Sequence, residues 1–441
     1  MCGFFFTDSK EKLVDLEFND VKQRGFKTST IEHNEYFGVQ SVLPSSTGLY
    51  SQLEDDNYFL LFTGQVYNYS RKFKTDTDYV FTKLKESIDN VNLFNGMFAF
   101  VFVNKTSNQV YIARDKTGQI PLFIYYKDKI IVSNTLKSIV KNTDTNIREN
   151  LLETWSKTKH YISNNTPWND IQEFPSGYLY TDGNFTKING PAYNNYDVLN
   201  TLELLKIQYS TPLPSANIAS GGVDSTIISH VFAKEKICIN NLGKDYISND
   251  CPWAIDVTEK EWCQSVVNFI NNTYILPYTW SWVSYFIIGK HLHNKVNVLY
   301  TGEGADEIFG GYPGYTEGVP TPYSDYGKNN SPIENKLKDQ EVFIPISTMG
   351  ANLALGCFTI EPRSPFCDLM FLNNTNYVNS IGKPELVKLY KKFTGKEPKP
   401  KQGFSGFPNE FYNYYNNKNI TDFDSDFYWK NACIQAIKDL T

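Results

Sequence analysis

The sequence predicts two domains of different class, an N-terminal half of antiparallel strands packed as a sandwich and a C-terminal α/β half with a parallel sheet. Three observations predict it. At 441 residues the chain exceeds one module, since a domain averages about 150 residues. Short runs rich in β-branched and aromatic residues follow one another over residues 57–134. Beyond a polar, Pro- and Asn-containing stretch at 190–197 the texture changes to apolar runs alternating with helical segments. Apolar residues at 41% and aromatics at 15% supply the cores and exclude wholesale disorder.

The first half reads as NYFLLFTGQVYN (57–68), MFAFVFVN (97–104), QVYIARD (109–115), IPLFIYYKD (120–128) and KIIVSN (129–134), strands separated by Gly, Asn, Asp or Lys turns. Helical spacing sets in at VLNTLELLKIQ (198–208), which gives domains of 2–190 and 198–441. SANIAS (215–220), KICINNLG (236–243) and VNVLYTGEG (296–304) are short apolar runs ending in small residues. Between them lie helices STIISHVFAKEK (225–236), EWCQSVVNFINN (261–272) and WVSYFIIGKHLHN (282–294). Strands alternating with helices imply right-handed crossovers, with ligands at the carboxyl ends of the strands. Chemistry is therefore expected near Ser220, Leu242 and Gly302.

Charge and cysteine usage narrow the partners. Lys+Arg 42 against Asp+Glu 48 leaves a net charge of -6, the wrong sign for a phosphate backbone or an anionic membrane, so neither is an expected partner. The longest apolar run, residues 97–103, is far short of the roughly 18 residues a bilayer span needs. The start MCGFFF has no basic n-region and too short an apolar run for a signal peptide, so the chain is expected to begin at Met1 or Cys2. Seven scattered cysteines contain no C-x-x-C pair and no His/Cys cluster suited to zinc, and a reducing, cytoplasmic compartment is expected.

Two motifs carry chemistry. Ser220-Gly221-Gly222-Val223-Asp224-Ser225 stands between an apolar strand and a helix. Its glycines let backbone N–H groups approach an anion, its serines add donors, and the helix N-terminus favours negative charge. It lacks the Lys of a Walker A loop and the spacing of a dinucleotide fingerprint; a plain Gly-Ser turn is the alternative. The second motif, Thr301 to Tyr312, places Glu303, Asp306 and Glu307 within five residues after another apolar strand. Such carboxylates repel unless a cation or a reacting group uses them; a solvated acidic turn is the alternative.

The first motif resembles the SGGxDS loop of ATP pyrophosphatases, and the second resembles the TGEGADELFGGY signature of the asparagine synthetase family. Further matches run in family order along the chain: Lys22-Gln23-Arg24-Gly25 with R-x-R-G, Thr63 to Asn68 with N-G-E-I-Y-N, Gly96 to Phe100 with GMFAF, and Arg114 to Leu122 with R-D-x-x-G-x-x-P-L. Phe174 to Gly177 is similar to a P-P-G turn, Thr359 to Asp368 to G-x-E-x-R-x-P-F-x-D, and Lys401-Gln402-Gly403-Phe404-Ser405 to K-x-x-F-S. The resemblance implies an αββα sandwich of the N-terminal-nucleophile type, a glutaminase, followed by an ATP-pyrophosphatase domain with added helices.

It also implies roles. Cys2 would be the nucleophile that frees ammonia from glutamine, its own α-amine serving as base; amine and thiol titrate near 8 and about 8.5, so proton transfer between them is nearly balanced. Thr63 and Gly64 would hold the oxyanion, and Gly64 and Asp78 would bind glutamine. ATP would lie on Ser220, Gly221, Gly222, Val223, Asp224, Ser225, Leu242 and Gly302, with Mg2+ on Asp224 and Asp306. Glu303, Glu361 and Lys401 complete the expected catalytic set, Glu303 handling the amine and Lys401 the phosphate charge. The substrates would be glutamine, ATP, and aspartate or another carboxylate; a homodimer is left open.

Departures from the family pattern fall at both sites. Thr63 stands for an oxyanion-hole Asn, Val39-Gln40-Ser41-Val42 for an R-L-S-I segment whose Arg clamps the glutamine carboxylate, and Thr279-Trp280-Ser281-Trp282 for R-A-S-T. Residues 242–256 leave little room for the helix that follows the second strand. An intramolecular amide-forming enzyme resembling β-lactam synthetase or a lasso-peptide cyclase is the second reading; Cys2 and Glu303 favour the ammonia route. A non-catalytic binding protein is the third, and the retention of Asp224, Asp306 and Lys401 argues against it.

Overall fold

The computed structural model describes residues 2–9, 18–45, 47–50, 53–158, 164–193, 197–232, 234–241, 251–312, 315, 331–374, 380–399 and 425–441. The first half contains β1 (Gly3–Thr7), β2 (Lys27–His33), β3 (Tyr36–Val42), β4 (Tyr58–Val66), β5 (Gly96–Asn104), β6 (Gln109–Arg114), β7 (Phe123–Tyr126), β8 (Ile130–Ser133), β9 (Ile171–Glu173), β10 (Tyr178–Thr181) and β11 (Asn184–Lys187). They form two sheets, of order β2-β3-β1-β8-β7-β9 and β11-β10-β6-β5-β4, with every pairing antiparallel.

Strand alternation explains how the sheets stack. Phe4 and Phe6 of β1 share a core with Phe59 and Leu61 of β4 and with Met97, Ala99 and Val101 of β5, between the sheets. Phe5 points the other way and packs with Phe18, Leu136, Ile139 and Trp155 from helices and their flanks. Leu60 and Phe62 of β4 face outward onto Tyr79, Val80 and Leu84 of the helix Asp76–Glu86. Because both faces are covered, β1 and β5 are apolar almost without alternation. Helices outside two stacked sheets make the expected αββα sandwich.

The second half holds a parallel sheet of order β14-β13-β12-β15-β16, made of β12 (Ser215–Ile218), β13 (Glu235–Asn241), β14 (Trp253–Val257), β15 (Val298–Tyr300) and β16 (Glu361–Arg363). Ile227, Ile228, Val231 and Phe232 of the helix Val223–Phe232 pack on one face with Leu386 and Leu389 of the helix Pro384–Thr394. The helices Glu259–Thr273, Trp280–Leu292 and Pro332–Gly356 cover the other, the two-faced cover that parallel strands require. The crossover helices over 225–236, 261–272 and 282–294 form close to where their spacing predicts. Strand β14 and the long helix Pro332–Gly356 were not foreseen. That helix opens with a capping box between Ser331 and Glu334 and carries Pro345 inside it, so its apolar pattern is interrupted by a residue that ordinarily breaks helices.

Cys238 and Cys251 form a disulfide between β13 and the approach to β14. The cysteine spacing held no sign of this pair. Among the described residues no helix is long and apolar enough to cross a membrane.

The halves are joined by buried polar contacts. Asn95 Nδ2 donates to Asp368 Oδ1 at 2.9 Å, Thr348 Oγ1 to the Thr117 carbonyl at 3.2 Å, and Arg24 to Asn352 Oδ1 at 2.6 Å. The Arg114–Leu122 motif is structural. The Arg114 guanidinium donates to the carbonyls of Gly118, Ile120 and Phe174 and to Glu173, and Asp115 accepts from the N–H groups of Phe98, Thr117, Gln119 and Ile120.

Gly350 lies where a Cβ would fall inside the Trp282 indole, and Trp282 is fully buried. Gly350→Ala should therefore lower stability by about 1–3 kcal/mol through overpacking, read as a lower urea midpoint; an unchanged midpoint would refute this packing.

Candidate active sites

The first site forms where β1 meets β3. Cys2 immediately precedes β1, and its Sγ accepts the Leu43 N–H at 3.3 Å. Arg24 Nε donates to the Cys2 carbonyl at 3.1 Å, so the guanidinium that reaches Asn352 also fixes the main chain of Cys2. Gly3 must be glycine for this, since a Cβ there would press on the Arg24 side chain. The Cys2 pocket is lined by, among others, Gln40, Leu43, Gly64, Gln65, Asp76, Glu361 and Arg363. Burial pushes the thiol up, and the carboxylates of Glu361 and Asp76 add to the shift, so sulfur holds its proton at rest.

Three expected assignments change here. Asp78 is not on the pocket. It is the third residue of the helix Asp76–Glu86, and its carboxylate accepts the Thr75 N–H at 3.1 Å while its own N–H goes to Thr75 Oγ1. Asp76 lines the pocket instead, accepting the Val66 N–H at 3.0 Å. Burial pushes its carboxyl up to about 7. The signal was in the sequence, because Thr-x-x-Asp at a helix start is a capping-box pattern that commits the later acid to the backbone.

Thr63 is fully buried, lies opposite Ala99 of β5, and is not among the residues lining the pocket. Gln65 does line it, and its buried Nε2 has no hydrogen-bond partner among the described residues. Gly64 between them has φ +114, and a Cβ would clash with the Met97 carbonyl, so no other residue fits that turn of the strand.

Val39, the position matched to the carboxylate-clamping Arg, packs with Phe5, Phe18 and Phe37 on the sheet face away from the pocket. The pocket face of β3 presents Gln40, whose amide exchanges two hydrogen bonds with the Phe62 backbone, Nε2 to O at 2.5 Å and N to Oε1 at 3.1 Å. Arg363 does line the pocket, but it donates to Glu361 Oε1 at 2.8 Å and to the Tyr209 carbonyl at 2.7 Å. Glu361, expected in the catalytic set, thus lines the Cys2 pocket.

The second site lies at the carboxyl ends of β12 and β15, neighbours in the sheet. Residues 219–222 lead from β12 into the helix Val223–Phe232, with Gly221 at φ +77. Ser220 and Ser225 share a 3.0 Å hydroxyl contact that draws the loop round the helix N-terminus. Gly302 permits the close approach of the two loops, since a Cβ would meet Asp224 Cβ and the Ser225 nitrogen. Leu242 and Lys401 lie outside the described residues.

The acidic motif does not converge on one point. Glu303 accepts from the Tyr285 hydroxyl at 2.5 Å and from the Ser347 hydroxyl. Glu307 is buried with the Tyr312 hydroxyl on it, and burial beside Asp306 pushes it up to about 8. Asp306 alone turns to the loop of the first motif, where Lys383 Nζ lies 2.6 Å from Asp306 Oδ1 and 2.5 Å from Asp224 Oδ2. Lys383 was missed because it falls in no motif, far along the sequence from both acids. Among the described residues no three His, Cys, Asp or Glu side chains group to hold a metal.

The two sites share strand β16. Glu361 opens that strand and lines the Cys2 pocket, while Ser364 just past its end exchanges a 2.9 Å hydroxyl contact with Thr301, next to Gly302.

Comparisons with known proteins agree with this arrangement. A glutamine amidotransferase domain family matches residues 43–196, and the asparagine synthase family matches residues 276–341. The glutamine-hydrolyzing asparagine synthetase 1 of Bacillus subtilis is 23% identical over 458 residues, covering 88% of this chain and 70% of that protein. Asparagine synthetase 1 of Arabidopsis thaliana, also glutamine-hydrolyzing, is 23% identical over 373 residues, covering 73% of this chain and 58% of that protein. Among solved structures, the allosteric regulatory enzyme of purine biosynthesis overlaps at a TM-score of 0.30 with 10% identity, over 72% of this chain and 77% of that one, too slight a likeness to argue from.

Asp76 yields a pH prediction. Its carboxyl, pushed up to about 7, takes a proton as pH falls through that value, and the pocket loses the negative charge that would pair with the α-ammonium of glutamine. KM for glutamine should rise below pH 7. Asp76→Asn should raise KM about tenfold or more at pH 8 and flatten that limb, while Asp78→Asn should leave KM alone. The reverse pattern would restore the assignment to Asp78.

Proposed function

We infer that this chain, which belongs to the asparagine synthetase family, makes an amide from glutamine, ATP and a carboxylate, with nitrogen released at Cys2 and used beside Gly302. The observation that carries this reading is β16, a three-residue strand whose Glu361 and Arg363 both line the Cys2 pocket and whose next residue, Ser364, contacts Thr301 of the β15 loop. Nitrogen freed at Cys2 would meet Glu361 in the pocket wall before passing toward the β15 loop.

At the first site Cys2 Sγ attacks the amide carbon of glutamine, its proton passing to the α-amine that removal of Met1 exposes. Ammonia leaves, and water then releases glutamate. The oxyanion formed on the way needs donors, and the Gly64 N–H with Gln65 Nε2 supplies them in this reading; Asp76 takes the α-ammonium. Among the described residues no cation lining the pocket is left to clamp the glutamine carboxylate, because Arg363 is committed to Glu361 and Tyr209. Glutamine should therefore be a weak donor beside ammonia.

At the second site one oxygen of the substrate carboxylate attacks the α-phosphorus of ATP and pyrophosphate leaves. Ammonia attacks the activated carbon, AMP departs, and Glu303, oriented by Tyr285 and Ser347, takes the extra proton of the incoming nitrogen. Ser220 to Ser225 would cradle the phosphates, and Lys401 would share their charge. Asp224 and Asp306 offer hard oxygens suited to Mg2+, but only as a pair, so they fit the ion with phosphate oxygens as its further ligands; Mg2+ there would neutralise charge on the phosphates. Aspartate is the proposed carboxylate.

Asp224→Ala and Asp306→Ala should each abolish aspartate-dependent pyrophosphate release from ATP and leave glutamine hydrolysis intact. Cys2→Ala should do the opposite, keeping ammonia-driven synthesis. Loss of both activities in any one of the three would sink the two-site assignment.

Gln65→Leu should lower glutaminase kcat about a hundredfold, as loss of an oxyanion donor does, whereas Thr63→Val, which swaps an unpaired buried hydroxyl for a methyl, should change it little. Steady-state glutamate release separates these, and a Thr63 effect larger than the Gln65 effect would return the oxyanion role to Thr63.

A further inference from the structure

Lys383 sits in a slot built for its ammonium. It precedes the helix Pro384–Thr394 with φ +55, a left-handed conformation that is strained for a non-glycine residue. Its N–H donates to the Phe309 carbonyl at 3.0 Å and that of Gly382 to Gly310 at 2.7 Å, pinning the loop against the end of the acidic motif. Gly311 leaves room for the side chain, since a Cβ there would strike Lys383 Cε and Asp306 Oδ1. The ammonium, buried, bridges Asp224 and Asp306 at 2.5 and 2.6 Å.

We propose that Lys383 is a tethered counter-ion that keeps a divalent cation off the Asp224–Asp306 pair until nucleotide phosphates draw its ammonium away. This deepens the reading of Ser220–Ser225 as a phosphate cradle and rests on it. Mg2+ seeks about six oxygens in near-octahedral order, and the two carboxylates here are already on an ammonium. Two carboxylates against one ammonium leave this half-buried site with a single net negative charge; a dication added beside the retained ammonium would turn it net positive and set two cations against each other at close range. A triphosphate reverses the sign: its oxygens accept the ammonium, free the carboxylates and supply the remaining ligands. Metal and nucleotide then bind cooperatively, each raising the affinity of the other by the same factor.

The test is an electron paramagnetic resonance titration of Mn2+, standing in for Mg2+, into the nucleotide-free full chain and into Lys383→Met, with folding of the variant checked by circular dichroism. Lys383→Met should bind one Mn2+ at least about tenfold tighter than the wild type, and Asp224→Asn in that background should remove the site. Equal affinities overturn the proposal. Should Lys383→Met fail to fold, the wild type still decides: stoichiometric Mn2+ binding without nucleotide that Asp224→Asn abolishes overturns the counter-ion role, and its absence supports it. Retention of labelled ATP with Mg2+ present tests the underlying reading separately. If the wild type retains no ATP, the phosphate cradle itself is wrong; if it retains ATP while the Mn2+ affinities are equal, only the role of Lys383 falls.

Discussion

The ion pair between Arg363 and Glu361, 2.8 Å apart on a three-residue strand, is the constraint on which both sites depend. Burying two charges is expensive, and a pair survives in a protein interior only when its remaining donors are satisfied. Arg363 meets that condition by also donating to the Tyr209 carbonyl and lying over the Tyr67 ring. Burial works against its charge, and the carboxylate of Glu361 outweighs it. The ladder with β15 then fixes the strand, so that Glu361 and Arg363 on the Cys2 pocket and Ser364 on the Thr301 hydroxyl stand in one register.

Charge elsewhere in both sites is committed to internal partners. Glu303 holds two hydroxyls, Glu307 holds Tyr312, and Asp224 and Asp306 hold Lys383. Burial holds the proton on Cys2 and pushes the Asp76 carboxyl up to about 7. This is the arrangement of a protein whose reactive groups wait for substrate charge before they ionise or change partner, which buried acids and amines do because their charged forms lack solvent.

Side-chain direction separates what could be read early from what could not. Val39 and Gln40 are adjacent letters, but strand alternation sends one into the core and the other to the pocket, and a motif match blind to that parity picks the wrong one. Asp76 and Asp78 differ by the same step, and the capping box decides between them. The parity of β3 was not recoverable, because its phase is set by which face β1 and β4 cover.

By itself the sequence determined the order and class of the two halves, the crossover helices of the parallel sheet, the Ser220–Ser225 loop and the acidic loop. Those follow from local periodicity, turn chemistry and contiguous motifs, which act within a few residues. Only the tertiary structure decided that Glu361 lines the Cys2 pocket, that Gln65 rather than Thr63 faces that pocket with a donor, and that Lys383 stands between Asp224 and Asp306. Each of these joins residues far apart in the chain, and such partners are chosen by the packing of whole elements and the cost of leaving a buried charge or amide unpaired, neither of which is written in any local pattern.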